Sequence, residues 1–221
     1  ALLFPADLAA VIRYNQALQE RNKLLKVNPS EEMLLIYDMM LDECAKTIFE
    51  RRTKAVEQLL PLVERYYALL SSDRERIGMQ YRSDLQEGTM ADMLLASRRK
   101  DFINEHTTVG IHRDDVIFTI AEYPLRKFGS QGQQKSFLVA LKLAEYTLLA
   151  EHNNEKPILL LDDLFDKLDM GRVAQLLRLV GSEMFGQIFI TDCNKHRLQR
   201  TLSEAGAEYK LFTIAEGKHH E

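Results

Sequence analysis

The sequence predicts an α/β fold: a helical hairpin lobe followed by a largely parallel sheet with flanking helices. Two patterns predict it. Between Asp7 and about Leu70 apolar residues recur at helical spacing, with Phe49, Val56, Val63 and Leu70 in a heptad rhythm and Leu59 and Tyr66 forming an offset stripe. From Phe102 onward short β-prone runs take over: Val116–Ile120, Ile158–Leu161, Ile188–Thr191 and Tyr209–Ile214. Helical stretches separate the last three of these, which is βαβ order, and right-handed crossovers bring them into one sheet.

Each element has its own signal. Asp7 is placed to cap a first helix through Leu25, Asn28-Pro29-Ser30 to turn the chain, and Ser30 with Glu31 and Glu32 to start a second helix. Pro61 has no N–H for the helical ladder, so a kink or restart is expected there rather than a strict coiled coil. Ile77, Met79 and Tyr81 alternate with polar positions, as in a strand, and Thr89 to about Lys100 reads as an amphipathic helix. Lys135 to about Ala150 reads as a long helix, apolar almost all round. The expected domains are residues 1–101, the helical lobe, and 102–217, the sheet domain, with 218–221 a tail outside both.

Composition narrows the class. With 46% hydrophobic and 28% charged residues, the chain fits neither a fibrous nor a disordered protein. Its longest apolar run, Pro157–Leu161, is too short to span a bilayer, and the amino end shows no basic-then-apolar leader pattern. A cytoplasmic location without membrane contact is expected. Cys44 and Cys193 are too few for a disulfide framework and are expected to be buried free thiols. A net charge of -4 gives no global attraction to nucleic acid, so DNA contact requires a local patch. Arg51, Arg52, Lys54, Arg98, Arg99 and Lys100 are the candidates, although Glu50 and Glu57 beside the first group fit an ordinary solvated helix face equally well.

The motifs that carry chemistry lie in the second half. Ile158-Leu159-Leu160-Leu161-Asp162-Asp163 is a buried-strand sequence ending abruptly in two carboxylates. Ligands of α/β sheets sit beyond the carboxyl ends of the strands, where one Asp suits Mg²⁺ beside nucleotide phosphates and its neighbour suits the attacking water. Upstream, Gly129-Ser130-Gln131-Gly132-Gln133-Gln134 opens the long helix, offering free N–H groups and the positive end of the helix dipole to an anion such as a γ-phosphate. Each motif alone also fits a bland reading: an acidic turn after a strand, and a Ser/Gly cap on a buried helix. Gly129 to Ser136 has the outline of a phosphate-binding loop in its own right, closing on Lys135-Ser136. However, Gln134 stands where that loop needs a glycine, and Tyr123–Phe128 does not read as the strand that should feed it.

Helix-opening turn, helix, strand with two aspartates, then Leu164-Phe165-Asp166-Lys167-Leu168-Asp169: this order resembles the C-terminal part of an ABC-type P-loop ATPase head, with signature motif, Walker B and D-loop. Within that superfamily, Thr107-Thr-Val-Gly-Ile-His-Arg-Asp-Asp115, Phe128-Gly-Ser-Gln-Gly-Gln-Gln134, Ala140-Leu-Lys-Leu-Ala-Glu145 and Gln19-Glu-Arg-Asn-Lys-Leu-Leu-Lys26 are similar to the RecF family, over nearly the whole chain.

The resemblance implies roles. Ser130, Gln131, Gly132, Gln133 and Gln134 would face the γ-phosphate of ATP held by a second head. In the same head, Asp162 would serve Mg²⁺ (Walker B) and Asp163 would be the catalytic carboxylate. Asp169 would belong to the D-loop, and Thr191 would stand near the γ-phosphate sensor position, with His196 a surface residue of the following helix. Implied partners are double-stranded DNA, RecR and RecO proteins and an ATP-dependent second copy, in repair and recombinase loading at gaps. Two departures stand out: Asp163 replaces the usual Glu, which fits slow hydrolysis, and Ile111 replaces a usual Pro beside His112. No Gly-x-x-x-x-Gly-Lys-Ser/Thr occurs in the chain, so the resemblance places the P-loop upstream of Ala1, and no measurable ATP hydrolysis is expected from these residues alone. An autonomous nucleotide enzyme built on Gly129–Ser136, or a non-catalytic interaction module, are the alternatives.

Overall fold

The computed structural model describes residues 5–27, 29–162, 168–205, 208–215 and 218–220. The described chain divides into two compact units, residues 1–61 with 78–124 and residues 62–77 with 125–221. The division does not follow chain order, because one long helix contributes to both.

The first unit opens with α1 (Pro5–Leu25), which begins at proline, a residue suited to the first helical position because the N–H it lacks has no partner there. Asp7, expected as its cap, lies inside the first turn. After the turn, α2 (Glu31–Ser71) runs unbroken with Pro61 inside it. Of the kink or restart expected at Pro61, the restart does not occur: the ring is exposed, a single N–H is lost, and Val63, Tyr66, Tyr67 and Leu70 immediately beyond are at most 2% exposed. Packing outweighs the local penalty.

β1 (Ile77–Arg82) follows, then α3 (Met90–Asn104), whose Thr89 hydroxyl accepts the Asp92 N–H at 3.1 Å. β2 (Asp115–Ile120) turns into β3 (Tyr123–Pro124) through Ala121 and Glu122, both at positive φ, and the sheet order is β1-β2-β3 with β2 and β3 antiparallel. Tyr14, Leu41, Ile48, Met90, Leu94 and Ile111 form the core of this unit.

The second unit takes the end of α2, then α4 (Leu125–Phe128) and α5 (Gln131–Asn153). Ala140, Leu143 and Ala144 are fully buried along α5, as its nearly all-round apolar sequence requires. β4 (Leu159–Leu161) precedes α6 (Met170–Val180), β5 (Ile188–Ile190) and α7 (Lys195–Ala205). β4 and β5 are parallel neighbours, Leu159 opposite Ile188 and Leu161 opposite Ile190, with the α6 crossover between them as the βαβ pattern predicts.

The third expected strand differs. β6 (Thr213–Ala215) is shorter than Tyr209–Ile214 and pairs antiparallel with β7 (Lys218–His220) in a separate sheet, so the segment set aside as a tail is paired. Closing so short a connection costs less chain entropy than carrying the strand to a distant partner. Of the cysteines, Cys44 is buried and burial pushes its thiol up, whereas Cys193, expected to be buried, is exposed just past β5. Among the described residues no helix is long and apolar enough to cross a membrane.

Candidate functional site

The turn at the start of α5 is built by its own side chains. Gly129 is required there, since a Cβ at this position would stand 2.7 Å from the Leu125 carbonyl oxygen. Ser130 is the N-cap: its Oγ accepts the Gln133 N–H at 3.2 Å, and the Gln133 side chain accepts the Ser130 N–H at 2.7 Å, a reciprocal capping box. Gln134 Nε2 donates to the Gly129 carbonyl at 2.8 Å. The glutamine side chains thus shape the turn, while Ser130 stays exposed and Gln131 and Gly132 keep the helix-end N–H groups that the ladder leaves free.

Beneath the turn lies a polar cluster that sequence inspection missed. Glu75 accepts hydrogen bonds from Gln133 Nε2 at 2.9 Å and from the Tyr67 hydroxyl at 2.5 Å, and pairs with Arg172 at 3.3 Å. Burial pushes the Glu75 carboxyl up, but the Tyr67 and Gln133 hydrogen bonds and the Arg172 charge outweigh it and hold it below its ordinary value. Arg172 Nη1 donates to Ser136 Oγ at 2.6 Å, and its Nε pairs with Asp169 at 3.2 Å. Asp169 in turn caps α6, accepting the Arg172 N–H at 2.9 Å. Glu75 sits in a run of charges that reads as solvated turn, and Arg172 as an ordinary first-turn cation. Only the Asp169 to Arg172 spacing hinted at a pairing.

Ser136 also disposes of the autonomous phosphate-loop alternative. It is fully buried, donates to the Gly132 carbonyl at 2.8 Å and accepts from Arg172, so its hydroxyl is not offered to a metal ion. The segment before it ends in the helix α4 rather than a buried strand.

At the carboxyl ends of the parallel strands, Asp162 follows β4 and Thr191 follows β5, and the Thr191 hydroxyl donates to the Asp162 carboxylate. The Thr191 N–H also extends the ladder to the Leu161 carbonyl at 3.0 Å, which fixes the two residues side by side. Their oxygens are the hard donors Mg²⁺ prefers, and both residues are exposed. Asp163 lies outside the described residues, as do residues 164–167 of the expected D-loop. A cleft of about 360 Å³ between α5 and β4 is lined by apolar residues including Leu138, Tyr146 and Ile158, with Lys135 and Asp162 also in its wall. His196 is exposed on α7.

The chain is 41% identical over 212 residues to the DNA replication and repair protein RecF of Bacteroides thetaiotaomicron, a match covering 95% of this chain and 58% of that one. It is 42% identical over 212 residues to the protein of the same name from Parabacteroides distasonis, covering 96% and 58%. This chain belongs to the RecF family. Its fold agrees: a solved structure of the recombination mediator protein RecF with ATPrS, in the RecFOR pathway, superposes with a TM-score of 0.78 at 27% identity over 98% of this chain and 59% of that one. A second, of RecF with ATP, superposes with a TM-score of 0.75 at 28% identity over 87% and 54%. The fold is that of the C-terminal part of the RecF ATPase head with its helical lobe. The chain therefore spans 58% of the length of these RecF relatives, and no family profile matches it.

The cations that are candidates for DNA contact all lie in the first unit. Within the first unit, Arg52 donates to the Ile111 carbonyl at 2.6 Å and to Asp114 at 2.8 Å, and Arg98 pairs with Asp38 at 2.9 Å and Glu31 at 3.4 Å. Arg51, Lys54, Arg99 and Lys100 are exposed. The His112 to Asp115 turn is held from several sides: Tyr14 hydroxyl to His112 Nδ1 at 2.9 Å, Tyr81 hydroxyl to Asp114, and Arg82 to Asp115 at 3.6 Å. Gly110, which starts the turn at φ 115, occupies a conformation that other residues rarely adopt.

Proposed function

We propose that these residues form the ATP-sandwiching part of a DNA-repair ATPase that closes as a dimer around ATP, binds duplex DNA at gaps and assists recombinase loading with RecR- and RecO-type partners. The observation that carries the reading is the exposed capping-box turn at the N-terminus of α5, in a chain whose relatives of known structure include RecF with ATP and RecF with ATPrS.

The turn offers its free N–H groups and the Ser130 hydroxyl proton to the γ-phosphate of a nucleotide held by the second head. In its own head Asp162, beside Thr191, would hold Mg²⁺, which supplies charge neutralisation between the β- and γ-phosphates. Asp163 orients and deprotonates the attacking water, and Asp169 marks the D-loop end that meets the partner head. A P-loop bearing the phosphate cradle completes the site from residues other than these. DNA contact through Arg51, Lys54, Arg99 and Lys100 is to backbone phosphate, with affinity that falls steeply with salt.

The test mixes the chain with a P-loop-bearing RecF segment and follows association by light scattering. ATP is expected to drive association and ADP is not, and Ser130→Arg, which fills the phosphate position, is expected to abolish it. Unchanged ATP-driven association in that variant refutes the reading.

A further inference from the structure

The turn that faces phosphate is not free to adjust, because its inner side is tied to two distant stretches of the same unit. From α5, Gln133 uses one end of its amide for the Ser130 N–H and the other for Glu75, at 2.7 and 2.9 Å. From α6, Arg172 reaches Ser136 Oγ at 2.6 Å, Glu75 at 3.3 Å and Asp169 at 3.2 Å. Glu75 therefore accepts from the phosphate-facing turn and from the first turn of α6 at once, with Tyr67 of α2 as a further donor. Arg172 and Glu75 side chains are 16% and 22% exposed, so solvent screens them far less than a surface pair. A guanidinium is the one side chain whose fixed fork can hold a hydroxyl and two carboxylates together, which a lysine cannot reproduce.

We infer that Glu75 and Arg172 are positioning residues that join the Ser130–Gln134 turn to the Asp169 cap of α6. Neither touches the nucleotide. The pair fixes the direction of the Ser130 hydroxyl and the helix-end N–H groups, and any displacement of Asp169 moves Arg172 and, through Ser136 and Glu75, the phosphate-facing turn. The two surfaces that a partner head would meet thus shift as one body.

The inference rests on the proposed role of Ser130, and the experiment separates the two. In the chain joined to its P-loop segment, the ATP concentration giving half-maximal association is measured beside the affinity of the monomer for a fluorescent ATP analogue. Arg172→Ala and Glu75→Ala are expected to raise the first roughly tenfold and leave the second unchanged, since the cis cradle does not include them. Arg172→Lys, which keeps the charge without the fork, is expected to behave like Arg172→Ala. Glu75→Gln, which keeps one acceptor for Gln133, is expected to recover part of the loss. Normal association in both alanine variants overturns the inference while Ser130→Arg still abolishes association. A loss of monomer affinity equal to the loss of association also overturns it, because that marks general unfolding. If Ser130→Arg itself has no effect, the reading of the turn falls and the inference falls with it.

Discussion

At the scale of single residues the helical unit is organised around an ion that water cannot reach. Arg21 is completely buried, and it donates to Asp38 at 2.6 Å, Asp101 at 2.8 Å and the Thr107 hydroxyl at 2.9 Å. Asp101 then receives both the N–H and the hydroxyl of Thr108, at 2.8 and 2.7 Å, and Asn22 receives the N–H of Thr107 at 2.8 Å. These bonds fix the start of the loop that leads to Gly110 and His112. Removing the cation would leave the buried Asp101 without a counter-charge and Asp38 with Arg98 alone, which costs far more than the pair contributes relative to an apolar replacement of all its members. Arg21→Met is expected to lower stability by about 3–5 kcal/mol, read from urea unfolding of the chain. A loss below about 1 kcal/mol would mean that water replaces the cation.

At the scale of elements α2 is the informative case. Its 41 residues carry Pro61 in the interior, and the helix persists because the residues after it are buried while the ring points to solvent. The missing N–H leaves the Glu57 carbonyl without its helical donor. Pro61→Ala restores that bond and removes the clash, so a gain of up to about 3 kcal/mol is expected, visible as a higher unfolding midpoint. No gain would show that α2 is already distorted to suit proline. α5 shows the opposite economy, since its capping box both starts the helix and leaves a hydroxyl and free N–H groups pointing outward.

For the whole molecule the relevant sum is over protonation states, and two groups in different units push the same way. Burial holds the His112 ring below its ordinary 6.5, assisted by Arg113, against the opposing Thr107 carbonyl. Glu75 is held below its ordinary 4.5, its hydrogen bonds and Arg172 outweighing burial. In each case the unfolded chain binds a proton at a pH where the folded chain does not, so stability is full above the unfolded value and is lost as pH falls through the folded one. Thermal melts at stepped pH are expected to fall in two stages, below 6.5 and again below 4.5. His112→Gln should flatten the first stage and Glu75→Gln the second. A first stage that persists in His112→Gln would assign it to another group.

The sequence by itself determined the elements and the motifs: the helical hairpin, the parallel pairing of Ile158–Leu161 with Ile188–Thr191, the cap at Ser130 and the family. These are local or periodic signals, in which a cap residue, a glycine or a strand ending in carboxylates is written within a few positions. Only the tertiary structure decided the rest. It kept α2 whole through Pro61, sent Thr213–Ala215 to a local partner instead of the parallel sheet, exposed Cys193, and buried Arg21. It also brought Glu75 and Arg172 beneath the Ser130 turn, though they stand 97 positions apart. Whether a charge is solvated or buried depends on what folds over it, and pairings at that separation leave no periodicity in the chain to read.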